Sequence, residues 1–101
     1  MTMTMTMTEQ EQKYVETEVE RLSQRHMGRE VTDPKTRENL KRCYRDAMYR
    51  VTAVRTPYAA QKLASYEGQI CRMSGNAYHG FEIHFADGRT VSSVHFYFKK
   101  V

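Results

Sequence analysis

No stretch of this chain stays apolar for anything near the roughly 20 residues that a membrane-spanning helix needs. Its start carries neither the basic residues nor the hydrophobic block of a secretory leader. The expectation is a soluble, cytoplasmic protein. Cysteine is scarce, with only Cys43 and Cys71. Without an export signal, two reduced thiols are favoured over one disulfide. There is no CxxC pair and no paired Cys/His cluster, which excludes the common zinc frameworks. The five glycines, Gly28, Gly68, Gly75, Gly80 and Gly88, are dispersed and build no phosphate-cradling loop. No carboxylate pair and no Ser/His/Asp or Cys/His order stands out. The reading is therefore non-enzymatic, with no catalytic residue, no cofactor and no metal assigned.

What the chain does have is aromatic bulk and alternation. Eleven of its residues are Phe or Tyr, in a chain that is 40% hydrophobic and 28% charged. At 101 residues it is short enough for one domain with a thin core. From Phe81 to Phe98 two alternating runs flank Asp87-Gly88, a pair suited to a type I′ two-residue turn. That turn pairs Phe85 with Thr90, Ile83 with Ser92 and Phe81 with Val94. Phe81, Ile83, Phe85, Val94, Phe96 and Phe98 then share one face. Glu82, His84, Val91, Ser93, His95, Tyr97 and Lys99 share the other. In this register His84 and His95 stand four residues apart along the ladder, roughly 13 Å, so one ion cannot bind both. His79 faces the other way, and His26 ends a distant helix.

The rest reads as helices. Met1–Thr8 repeats Met-Thr four times, which predicts a disordered tail with several equivalent start methionines, followed by a single domain over 9–101. Thr8 and Glu11 form a capping box for a first helix over Glu9–Met27, with Val15, Val19, Leu22 and His26 as its stripe and Gly28 as its stop. The glutamates on its outer face mark it as peripheral, able to dock on a partner or a second copy. Thr32-Asp33-Pro34 starts a second helix that runs to about Val54, with Leu40, Tyr44, Ala47, Met48 and Val51 as its stripe. Thr56-Pro57 starts a third. The third ends near Tyr66 and a strand follows over about Gln69–Ser74; the competing reading continues the helix to Ser74-Gly75 across Gly68, at a cost of ~1 kcal/mol. The predicted fold is α+β: three helices, then a C-terminal antiparallel hairpin or three-stranded meander packed on helices 2 and 3.

Charge is uneven. Residues 1–28 carry five acids against three bases, and residues 33–55 carry seven bases against three acids. The function expected is a small intracellular adaptor or inhibitor docking on a larger host protein, of a kind compatible with a phage or mobile-element accessory protein. Its contacts would be Glu16, Glu20, His84, Val91, His95 and Tyr97, since Tyr is favoured at protein interfaces. The alternative is a nucleic-acid-binding regulator using the basic helix 34–54. There Arg37, Lys41, Arg42 and Arg45, with Lys62 beyond, would meet phosphates. No membrane partner is expected.

Overall fold

The computed structural model describes residues 7–101, which divide into two compact units between Asp46 and Ala47. Of the tail predicted over Met1–Thr8, residues 1–6 lie outside the described residues, and Thr8 is the N-cap of the first helix rather than part of a tail. The fold is mixed α+β, with three α-helices, a five-stranded antiparallel sheet and a separate small hairpin.

The first unit is a pair of helices. Helix α1 spans Glu9–Gln24 and opens with the anticipated capping box: Thr8 Oγ1 accepts from Glu11 N (3.1 Å) and Glu11 Oε1 accepts from Thr8 N (3.0 Å). Val15, Val19 and Ser23 are buried along it at i, i+4, i+8. The helix ends three residues before Met27. Strands β1 (Arg25–His26) and β2 (Arg29–Glu30) form a tight hairpin instead, with Met27 (φ 51) and Gly28 (φ 76) at its turn. Gly28 is thus the second left-handed residue of a two-residue turn rather than a helix stop. His26 leaves the helical stripe, and its Nδ1 shares a hydrogen bond with Tyr44 Oη at 3.2 Å. Helix α2 spans Pro34–Asp46, capped by Asp33, whose carboxylate accepts from Thr36 N (3.0 Å) and Thr36 Oγ1 (2.6 Å).

The second helix was expected to reach Val54, but Met48–Val54 is strand β3. Apolar positions at 47, 48 and 51 fit a helical stripe, yet the segment's valines and tyrosine suit a pleated surface. Pairing on both edges, with β4 and β7, decides the matter. Helix α3 (Pro57–Lys62) is capped by Thr56, whose Oγ1 accepts from Ala59 N (3.1 Å), and a 3₁₀ turn over Ala64–Tyr66 follows. Strand β4 (Ile70–Asn76) lies where a strand was favoured over a longer helix. Gly68, at φ 82, breaks the helix before it.

The C-terminal segment is not one hairpin. Strands β5 (Gly80–Phe85) and β6 (Thr90–Ser92) pair with Ile83 opposite Val91 and His84 opposite Thr90, one residue out from the anticipated register. Phe85 N donates to Arg89 O (2.9 Å), so the loop holds three residues, Ala86-Asp87-Gly88, with Gly88 left-handed at φ 91. Asp-Gly serves this longer loop as well as a two-residue turn. The slip turns Val91 to the core side. A 3₁₀ turn over Ser93–His95 then redirects the chain, and β7 (Phe96–Lys100) pairs with β3 at the opposite end of the sheet. The strand order is β6-β5-β4-β3-β7. The β3–β7 register shifts between Val51 and Ala53, a bulge at Thr52.

The sheet's inner face and α3 enclose Val51, Ala59, Leu63, Tyr66, Cys71, Ile83, Phe85 and Phe96, with Phe98 and Val91 packed at the edges. The sheet is thus larger than predicted, and within its unit it is covered by α3 and the 3₁₀ turn after it; α2 belongs to the other unit. Two residues assigned to the apolar face are exposed, Phe81 at 41% and Val94 at 53%: Phe81 stands opposite Gly75, which has no side chain, and beyond the end of the β5–β6 pairing, and Val94 lies in the 3₁₀ turn.

Gly75 is the tightest point of the sheet, at φ 111 in β4, where a Cβ would drive into the Gly80 carbonyl oxygen. Gly88 faces open space. Gly75→Ala is expected to destabilise the protein by about 2–4 kcal/mol, through strain and clash together. Gly88→Ala is expected to cost about 1–2 kcal/mol from its backbone alone. Equal urea midpoints for the two variants would contradict the close approach.

Candidate docking surface

The charged residues proposed as contacts in the first unit are occupied with one another. Arg45 Nη2 lies 2.9 Å from Glu16 Oε2, and Lys41 Nζ lies 2.8 Å from Glu20 Oε2 and 3.4 Å from Glu38 Oε1. Hydrogen bonding to Arg45 and Lys41 holds the Glu16 and Glu20 carboxyls below their usual range, and the two cations are raised in turn. Arg37 Nε donates to Val31 O. Arg42 and Lys62 are exposed and form no ion pair among the described residues, but they belong to different units. The proposed basic contacts are therefore split between units, and two of the five, Lys41 and Arg45, are paired with carboxylates.

In the second unit, His84 is half-buried on the sheet face away from the core. Its Nε2 is 2.6 Å from Ser74 Oγ and its Nδ1 3.1 Å from Thr90 Oγ1. Burial, and then the neighbouring Arg72, push its pKa down. A hydroxyl beside an imidazole has the form of a nucleophile–base pair, but the ring's other nitrogen meets a hydroxyl, not a carboxylate, and the depressed pKa makes it a weaker base. Val91, expected to face outward, packs on the core opposite Ile83 and offers no contact.

His95 and Tyr97 are different. His95 is not in the ladder as expected but in the 3₁₀ turn before β7, where its Nδ1 hydrogen-bonds Thr56 Oγ1 at 2.8 Å. Its ring lies 5.2 Å from that of Tyr58, and its carbonyl accepts from Arg55 N at 2.8 Å. The guanidinium of Arg55 stands 5.7 Å over the Tyr97 ring. The end of β3, the start of α3 and the 3₁₀ turn thereby hold two pairs, Tyr58 with His95 and Arg55 with Tyr97, linked by the backbone bond between Arg55 and His95. Tyr58 is 49% exposed and Tyr97 55%. Sequence reasoning missed Arg55 and Tyr58. Tyr58 was legible in part, since Thr56-Pro57 starts a helix whose buried residue is Ala59, leaving its neighbour outward. All of the chain's net charge of +4 falls in this unit, where residues 47–101 hold seven bases and three acids; the preceding residues hold nine of each.

The two thiols differ sharply. Cys71 is fully buried, and desolvation pushes its pKa up to about 12, whereas Cys43 is exposed. A thiol reagent at neutral pH is expected to modify one cysteine quickly, and Cys43→Ser is expected to abolish that phase; rapid reaction of both would contradict the core. Because His84 is held neutral in the fold, its contribution to stability is present above the unfolded pKa near 6.5 and is lost as pH falls through the lower folded value. Thermal melts from pH 7.5 to 5 are expected to show this decline, and His84→Gln is expected to flatten it. No family model, curated protein or solved structure matches the chain.

Proposed function

We propose that this chain is a small non-enzymatic binding protein, an adaptor or inhibitor, that docks on a larger protein through the surface of Tyr58, His95 and Tyr97. The observation that carries the reading is that two half-exposed tyrosines are each held by a neighbour: Tyr58 against His95, itself tied to Thr56, and Tyr97 beneath Arg55. Exposed Tyr and Arg are the residue types that dominate interface energetics, and rings already ordered in the free protein lower the entropy cost of association. Glu16 and Glu20 contribute less than their position suggested, since each already has a cation. The same ion pairs weaken the nucleic-acid reading, because Lys41 and Arg45 would have to give up carboxylates to meet phosphates.

The test compares the intact chain with Tyr97→Ala and Arg42→Glu as immobilised baits, against nuclease-treated lysate and against mixed DNA and RNA, at low and moderate salt. A protein retained at moderate salt, reduced about tenfold or more by Tyr97→Ala and unaffected by Arg42→Glu, is the expected result. Retention of nucleic acid at low salt that disappears with Arg42→Glu would replace this reading with binding through α2.

A further inference from the structure

Tyr97 carries a cation over its ring, and none of the residues paired at this end of the sheet is an acid. Arg55 forms no ion pair among the described residues, and Tyr58, His95 and Tyr97 bring no carboxylate to it. Tyr97 lies on β7, an edge strand that ends in Lys99 and Lys100. Lysines on a sheet edge oppose pairing with a like-charged strand, which disfavours a second copy of this chain as the occupant. An acidic chain meets no such barrier. The guanidinium is also weakly hydrated and planar, poised for a carboxylate that approaches in its plane while the ring beneath holds it in place.

We propose that the docked partner presents a short acidic segment, with one carboxylate paired to Arg55 and a neighbouring apolar or aromatic side chain lying on Tyr58 and Tyr97. This rests on the docking reading and adds the sign and composition of the partner. A single-stranded nucleic acid is the less fitting anion, since tracking its backbone takes a groove of several cations rather than one among aromatic groups.

A random-peptide display library selected on the intact chain tests the proposal. Recovered peptides are resynthesised and measured by fluorescence anisotropy, alongside single-stranded oligo-dT and oligo-U. Recovered sequences are expected to carry net negative charge beside an aromatic or large apolar residue. Arg55→Gln, or exchange of the peptide's acids for amides, is expected to weaken binding about tenfold or more. Tyr97→Phe should keep most of the affinity and Tyr97→Ala lose it, with circular dichroism confirming that each variant is folded. Neutral or basic peptides whose binding still depends on Tyr97 would overturn the acidic partner and leave the docking surface standing. Peptides indifferent to both Tyr97 and Arg55, or a library that yields no binder, would overturn both. Oligonucleotide binding tighter than any peptide and lost in Tyr97→Ala would overturn the proposal in favour of nucleic acid.

Discussion

Phe85 is the contact on which the sheet unit depends. Its ring stacks on Tyr66 at 4.1 Å and meets Phe96 edge-on at 5.8 Å. It therefore joins three segments far apart in sequence: the 3₁₀ turn after α3, the second strand of the β4–β5 hairpin, and the edge strand β7. Aromatic pairs in these geometries add about 0.5–1.5 kcal/mol each to what burial alone supplies. The Tyr66 hydroxyl then donates to Asp87, in the loop that follows Phe85, and the bond lowers the carboxyl's pKa while raising the phenol's. One ring position thus fixes the loop, the turn and the far edge together.

The two units solve the problem of smallness differently. The sheet unit relies on aromatic volume packed around Leu63, Ile83 and Cys71. The helical unit buries few apolar side chains and joins α1 to α2 through matched charges, Glu16 with Arg45 and Glu20 with Lys41. Such exposed pairs add little stability each. Their consequence here is for availability: the most conspicuous charge in the sequence is used internally. The net positive charge lies in the unit that also holds the ordered, exposed rings.

Local signals were legible in the chain, and non-local ones were not. The Thr8–Glu11 box, the Asp33-Pro34 and Thr56-Pro57 starts and the Asp87-Gly88 turn act over three or four residues, so each can be read directly. The fate of 48–54 could not, because Met48 and Val51 suit either a helix stripe or a strand; the partners that decide it, Arg72, Phe98 and Phe96, lie 20 to 50 residues away. The hairpin slip has a similar cause: a two- and a three-residue loop ask for the same dipeptide, and the choice inverts Val91. Nor does sequence show that Lys41 and Arg45 are spoken for, or that Tyr58 meets His95, since both depend on which segments become neighbours. His95 and Tyr97 were named for a hairpin face that does not form, and they reach partial exposure by another route, a 3₁₀ turn and the pairing of β7 with β3; their companions were not named.

The bulge at Thr52 sets the parity of the residues beyond it. With an extra residue at that point, Val54 rather than Ala53 takes the inward position beside Phe96, and Arg55 emerges on the same side as Tyr97. The same strand paired without the bulge, all residues kept, would reverse both: Ala53 would fall opposite Phe96 in the hydrophobic slot, and the guanidinium would be carried to the opposite side from its ring. Core composition and surface charge at this end of the molecule are therefore tied to a single irregularity, and neither can be re-phased without the other.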